Sequence, residues 1–304
     1  MSDTRVSLRH KIDSAGELRS VVRTMKAVAS SSIVQYERAV LALTDYARTV
    51  ELGLSACFRQ ADAGAMQDRS RTSARPGRIA AIVFGSDQGL VGQFNDAIAD
   101  HAVQALEGVA GTVELWAVGE RVQARLADSG HASSRLFTVP ASVGAISALV
   151  TQILVAMDSP GSTGRVAELY LFHNRPGASK PGGGAIYTPV TERLLPLDAA
   201  WRRGLMQRHW PTRNLPEVLG SGTTTLAALI GEYLFVCLFR ACAESLASEN
   251  ASRLAAMQRA EKNIDGILED LNLKLHRIRQ ESIDEELFDV IAGYEALTPV
   301  RRSR

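Results

Sequence analysis

Proline is missing from both ends of this 304-residue chain. Ten prolines occur, yet none falls within residues 1–75 or 217–298; all but one lie between Pro76 and Pro216, and the last is Pro299. Proline lacks a backbone donor and clashes with the preceding helical turn, so its absence permits a very long helix at each end. A shorter, turn-rich body would then be inserted between the two. Cysteine is scarce too: Cys57, Cys237 and Cys242 are odd in number and show no metal-ligand spacing. A disulfide framework does not fit, whereas small buried thiols in a reducing compartment do. Charge of one sign is also lacking, since 34 basic side chains nearly cancel 33 acidic ones. There is no bulk electrostatic case for nucleic acid.

Other absences remove further classes. The start MSDTRVSLRHK has no apolar core of signal-peptide length, which argues against export. The most apolar run, Leu226 to Phe239, is broken by Gly231 and Glu232 and is too short to span a bilayer. The expectation is a soluble chain with no direct bilayer insertion. The histidines, at 10, 101, 131, 173, 209 and 276, form neither HxxxH nor HExxH, and no GxSxG elbow exists. Glu285, Glu286 and Asp289 cluster, but on a helix they read as a solvated face. No catalytic residue, cofactor site or metal site is expected.

What is present is periodicity. In the N-terminal run, Leu18, Val22, Met25, Ala29, Ile33, Tyr36, Val40, Leu43, Ala47, Val50 and Leu54 recur at steps of three and four. Such a seam argues coiled coil, and residues 3–58 would extend roughly 80 Å as one helix. In the C-terminal run, Ile264, Leu268, Leu271, Leu275 and Ile278 keep the same rhythm. After a slip, Ile283, Leu287, Val290, Tyr294 and Leu297 repeat it, as an insertion in a coiled-coil repeat does. This helix, of about 78 residues, could reach roughly 115 Å. The simplest arrangement is an antiparallel pair in which the end of the longer helix protrudes alone. The competing arrangement is a bundle of shorter helices that turn at Gly220, Gly222 and Gly266.

The middle alternates strand and helix. Ile79–Phe84, Val113–Val118, Arg135–Val139 and Val166–Phe172 read as strands, with helices at Asp96–Leu106, Glu120–Asp128 and Ala145–Met157. This predicts a parallel sheet with helices on its faces. Gly182, Gly183 and Gly184 make a turn before an edge strand, and residues 198–216 read as a returning loop. The fold class is therefore α/β: a long antiparallel coiled coil with an inserted Rossmann-like domain. Residues 1–75 form the first helix, 76–216 the central domain and 217–304 the second helix. Between the first strand and its helix lies GSDQGLVGQFN, Gly85 to Asn95. Its position suits phosphate binding. However, Gly85, Gly89 and Gly92 miss the dinucleotide spacing and no Walker lysine follows, so a structural turn ordered by Asp87 is favoured.

Three separated motifs resemble the gamma subunit of F-type ATP synthases. One runs from Ile12-Asp13-Ser14 through Thr24-Met25-Lys26-Ala27-Val28-Ala29-Ser30, and the second is the Gly85–Asn95 turn. The third spans Glu244-Ser245-Leu246-Ala247-Ser248-Glu249-Asn250, Arg253 and Met257, resuming at Arg279-Gln280-Glu281-Ser282-Ile283-Asp284-Glu285-Glu286-Leu287. The resemblance implies a non-catalytic rotor shaft, peripheral to the cytoplasmic face of a bacterial inner membrane. Its helix pair would sit in an alpha–beta hexamer, and its central domain would bind the epsilon subunit and the ring of c subunits. Met25 and Lys26 would face a beta-subunit lever, while Arg253, Gln280, Asp284 and Glu286 would lie at a beta-subunit catch. Departures mark a divergent form. Ser30-Ser31-Ser32-Ile33 replaces a basic row, Asp284 stands for threonine, Glu285 for glutamine, Gln88 for arginine and Val91 for cysteine. The cysteine-bearing insertion of the chloroplast form is absent, so thiol switching is not expected. The competing classes are a nucleotide-binding enzyme dimerised by its coiled coil, and a coiled-coil adaptor.

Overall fold

A computed structural model describes residues 5–63, 78–159, 166–177, 186–214, 216–218 and 221–297. The glycines at 182–184 and at 220 lie outside the described residues. The chain order is α1 (Arg5–Ala63), β1 (Arg78–Phe84), α2 (Phe94–Leu106), β2 (Val113–Val118), α3 (Glu120–Asp128), β3 (Arg135–Phe137), α4 (Val143–Asp158), β4 (Val166–Pro176), β5 (Tyr187–Leu195), α5 (Ala199–Gln207) and α6 (Gly222–Leu297). Two compact units result. Residues 29–254 form one, and residues 1–28 with 255–304 form the other.

The larger unit is built on a five-stranded sheet ordered β3-β2-β1-β4-β5. Its first four strands are parallel, and β5 returns antiparallel along β4. All seven residues of β1 are buried, so the strand needs cover on both faces. Alternation divides that cover. Ala80, Ile82 and Phe84 pack in one cluster with Ile146 and Val150 of α4 and Leu234, Leu238 and Cys242 of α6. Ala81 and Val83 join Ile98 and Ala102 of α2 and Val122 and Leu126 of α3 on the other face. The three cysteines are free and buried.

Residues 198–216 are not all loop. Asp198 caps α5 by accepting from the Ala200 N–H, at 3.2 Å, and Leu205 packs against Val50, Leu54 and Phe58 of α1. The cap residue before an Ala-Ala-Trp start was the available signal, and the tryptophans and prolines nearby outweighed it. Nor does the apolar part of α6 end at Phe239. The helix contains an 18-residue stretch apolar enough to cross a membrane by length and composition, 44% of it buried within the protein. Ala241, Cys242, Ala243, Leu246 and Ala247 prolong the run because they too belong to the core over the sheet.

In the smaller unit, α1 and α6 are antiparallel: Arg19 pairs with Asp265 at 2.9 Å, and Arg23 with Glu261 at 2.8 Å. No turn interrupts α6 at Gly266. The buried stripe of α1 differs from the expected seam by one position. Leu18 is 59% exposed, while Leu8, Ile12, Ala15, Arg19 and Val22 are buried or half-buried. Arg19 takes the inward position because its guanidinium has a carboxylate partner there. The stripe Ile264, Leu268, Leu271, Leu275 and Ile278 is half-buried as expected. The second stripe is not, since Ile283, Leu287 and Val290 are 53%, 56% and 69% exposed. The register that sets Arg19 on Asp265 brings Arg5, where described α1 begins, level with about residue 279. Beyond it the described residues of α1 offer no cover.

Leu171→Ala, which empties a fully buried site in β4, is expected to destabilise the isolated chain by about 2–5 kcal/mol in urea unfolding. Leu287→Ala should change stability by less than about 0.5 kcal/mol. A comparable loss in both would show that the second stripe is buried in the uncomplexed chain.

Candidate partner-contact surfaces

The turn from β1 to α2 is tied down by its own side chains. Gly85 N–H donates to the Val118 carbonyl at 2.8 Å, and Arg121 N–H to the Ser86 carbonyl at 2.9 Å. Asn95 closes the loop: its Oδ1 accepts from Ser86 N–H at 2.9 Å and its Nδ2 donates to Ser86 Oγ at 2.8 Å. Asp87 reaches further, accepting from Glu120 N–H at 3.0 Å and from Val139 N–H at 2.9 Å. A carboxylate from within the chain thus occupies the amide at the start of α3.

The four turn residues singled out by sequence have different duties. A Cβ on Gly85 would lie 2.3 Å from Val122 Cβ, so close packing demands glycine. Gly92 has φ 58°, and Leu90 beside it φ 63°, a left-handed conformation that glycine adopts without penalty. Gly89 has space, its nearest neighbour being Arg121 Nη2 at 3.9 Å. Sequence reasoning assigned Ser86 a role only in the competing enzyme reading, and it assigned none to Asn95 or to Gly119, where a Cβ would meet the Ser86 carbonyl at 2.7 Å. Asn95 stood inside the motif, but its role depends on a fold-back that spacing alone does not reveal.

Helix α6 holds the far side of this turn. Ser252 Oγ donates to the Val91 carbonyl at 2.5 Å. Asn174 Nδ2 donates to the Phe94 carbonyl at 3.0 Å, and Ser248 Oγ to the Asn174 carbonyl at 2.9 Å. Next to these serines in sequence sits a buried ion pair: Arg253 Nη2 lies 2.6 Å from Glu249 Oε1, one helical turn away, with side chains 12% and 7% exposed. Burial pushes the Glu249 carboxyl above its ordinary value despite Arg253, and the Asp87 carboxylate adds to the rise. Burial also raises the Tyr36 phenol of α1, with Glu249 contributing. Sequence placed Arg253 at a partner surface; here its guanidinium is engaged within the chain.

A second polar network was not foreseen. His173 Nε2 and Arg175 Nε both meet Glu244 Oε2, at 2.8 and 3.0 Å, and Arg175 reaches Glu192 at 2.7 Å. Burial pushes the Glu244 carboxyl up, but the bonds from His173 and Arg175 outweigh it and hold it below its usual range. Among the described residues, no group of three or more His, Cys, Asp or Glu could hold a metal ion. A groove of 430 Å³ between α4 and α6 is lined by Leu154, Met157, Ala227, Gly231 and Phe235, and no residue of the turn reaches it.

In the smaller unit, Met25 and Lys26 are half-buried, and Lys26 Nζ lies 2.5 Å from Glu261 Oε2. Glu261 therefore bridges Lys26 and Arg23, and their hydrogen bonds hold its carboxyl down at about 2. Gln280, Asp284 and Glu286 are exposed. Gln280 and Asp284 are one helical turn apart on one face, whereas Glu286 lies about 200° around the helix from Asp284. Arg253 belongs to the larger unit.

A family model described as ATP synthase matches residues 4–297. The chain is similar to the ATP synthase gamma chain of Micrococcus luteus, 28% identical over 296 residues, covering 95% of this chain and 96% of that one. It is also similar to the ATP synthase gamma chain of Frankia casuarinae, 26% identical over 301 residues, covering 95% and 96%. Among solved structures, it resembles a chain of the Euglena gracilis mitochondrial ATP synthase rotor with TM-score 0.59 and 16% identity, covering 92% and 98%. A chain of the Euglena gracilis OSCP/F1/c-ring assembly matches with TM-score 0.58 and 17% identity, covering 99% and 98%.

Because the folded Glu261 carboxyl is held below its unfolded value, its contribution to stability is present above about pH 4.5. That contribution is lost as pH falls toward about 2. The stability gap between wild type and Glu261→Gln should therefore narrow from pH 5 to pH 2 in chemical denaturation. A gap independent of pH would mean that the Lys26 and Arg23 contacts are not formed in solution.

Proposed function

We infer the function from one premise: the chain belongs to the ATP synthase gamma chain family. Its role is that of the central rotor shaft of the synthase, a membrane-associated complex of which it is a subunit. In this reading residues 1–75 and 217–304 form the shaft, and residues 76–216 form the body that meets the rest of the rotor. The chain carries out no chemistry. It couples ion flow through the membrane ring to nucleotide affinity on the hexamer, because an asymmetric shaft presents a different face to each beta subunit as it turns. Its partners are the alpha and beta subunits, the epsilon subunit and the c ring, at the cytoplasmic face of a bacterial inner membrane.

The observation that carries this reading is the exposed stripe of Ile283, Leu287 and Val290 on α6. A contiguous apolar face on a helix marks a surface that a partner covers. In this reading the partner is a collar formed by the alpha–beta hexamer. The reading as a nucleotide-binding enzyme gains no support from the turn, whose Ser86, Asp87 and Asn95 side chains are engaged in bonds within the chain. Lys26 and Arg253 reach the hexamer in this reading by exchanging their partners within the chain, Glu261 and Glu249, for groups on beta.

Co-purification of a tagged copy from native membranes should recover alpha, beta, epsilon and c subunits; recovery of a soluble homodimer alone would sink the proposal. The purified chain should not hydrolyse ATP by itself, and robust turnover would point to the enzyme reading. In the assembled synthase, Gln280→Ala should lower ATP turnover more than Ser31→Ala, and equal effects would remove Gln280 from the contact surface.

A further inference from the structure

The ion pair of Glu249 and Arg253 is only half used. Arg253 gives Nη2 to Glu249 at 2.6 Å, but Nη1 reaches Asn250 Oδ1 only at 3.5 Å. Arg253 Nε and Glu249 Oε2 are both buried without a hydrogen-bond partner. An arginine can bind a carboxylate through two parallel bonds, and here one is made. As a stabilising device the pair is poor, since a buried pair often does no better than apolar side chains of similar volume. As a store for a guanidinium it is well made. The arginine is held to Glu249 by a single bond, and the elements around it are tied by other bonds, Ser252 to the Val91 carbonyl and Ser248 to the Asn174 carbonyl.

We propose that Glu249 is a positioning residue: it parks the Arg253 guanidinium in the uncomplexed chain and yields it to an acceptor oxygen on the alpha–beta hexamer, taking up one proton from solvent as the pair opens. The inference rests on the reading that Arg253 contacts the hexamer. The acceptor is a carboxylate or a backbone carbonyl, the groups that match a guanidinium fork. Proton uptake follows from what faces Glu249. From α1 comes the Tyr36 phenol, from the β1–α2 turn the Asp87 carboxylate, and from α6 itself Cys242 and Arg253. Of these, Arg253 alone is positive. Once it leaves, a buried carboxylate beside a second carboxylate is neutralised rather than left charged. The proton adds to one Glu249 oxygen, and no other bond changes.

The test uses the full chain and a hexamer assembled from its own alpha and beta subunits, with the dissociation constant measured between pH 5.5 and 8.5. Wild type should bind more weakly as pH rises, by up to about tenfold per pH unit. Glu249→Gln, equal in shape and without charge, should show a flatter profile. Titration calorimetry in two buffers of different ionisation enthalpy should detect uptake of up to about one proton by wild type and less by the variant. Arg253→Ala should weaken binding at every pH. If it does not, the contact itself is absent and the reading beneath the inference falls. If Arg253→Ala weakens binding while Glu249→Gln keeps the wild-type slope, the contact stands and the parking role is overturned. Should Glu249→Gln fail to fold, as judged by circular dichroism, wild-type calorimetry decides, and binding without proton uptake overturns the proposal.

Discussion

Strand β1 is buried along its whole length on both faces, and this constraint organises the larger unit. A parallel strand in that position must be covered twice. Helices α2 and α3 cover one face; α4 and the stretch of α6 from Leu234 to Ala247 cover the other. α6 is therefore a core helix before it is anything else. Its apolar content there is that of a sheet-covering stripe, which accounts for a composition that would also suit a membrane. Because no proline or glycine breaks the helix, the same element continues unbroken to Leu297.

Polar side chains do the remaining positioning. The β1–α2 turn commits Asp87 to the backbone amides of Glu120 and Val139, and it is bonded to α6 directly through Ser252 and by way of Asn174 of β4 through Ser248. A loop that elsewhere in α/β proteins serves ligands here fastens a sheet to a helix. The same stretch of α6 carries the Glu249–Arg253 pair, so fastening and charge storage share two helical turns. In the smaller unit, Glu261 and Asp265 take up Lys26, Arg23 and Arg19. Those pairs set the antiparallel register of the two helices. Being solvent-accessible, they add modest stability at most.

The strands and helices of the central region were legible in the sequence because their apolar runs follow periods of two and 3.6 residues. Val113–Val118 and Glu120–Asp128 have the boundaries expected from the residues alone. Helix α5 was missed because a capping Asp198 is a weak signal beside Trp201, Trp210 and Pro211. The α1 seam was displaced at Leu18 because periodicity counts apolar residues, and an arginine that finds a carboxylate can hold the inward position instead. Among the candidate contact residues, the glycines of the turn were visible as glycines. The reason for Gly85 is a contact with Val122, 37 residues later in the chain.

The sequence by itself determined the two long helices, the alternating α/β middle and the family, because proline placement, periodicity and motif strings are local properties of the chain. Tertiary structure decided which carboxylate each basic residue meets. It set Glu261 opposite Lys26 and turned Asp87 onto α3. It also closed Glu249 on Arg253 under Tyr36 and left the last apolar stripe of α6 uncovered. Each of these depends on register and burial between segments far apart in sequence. The energy of a charge is set by its surroundings, and those exist only once the chain has folded.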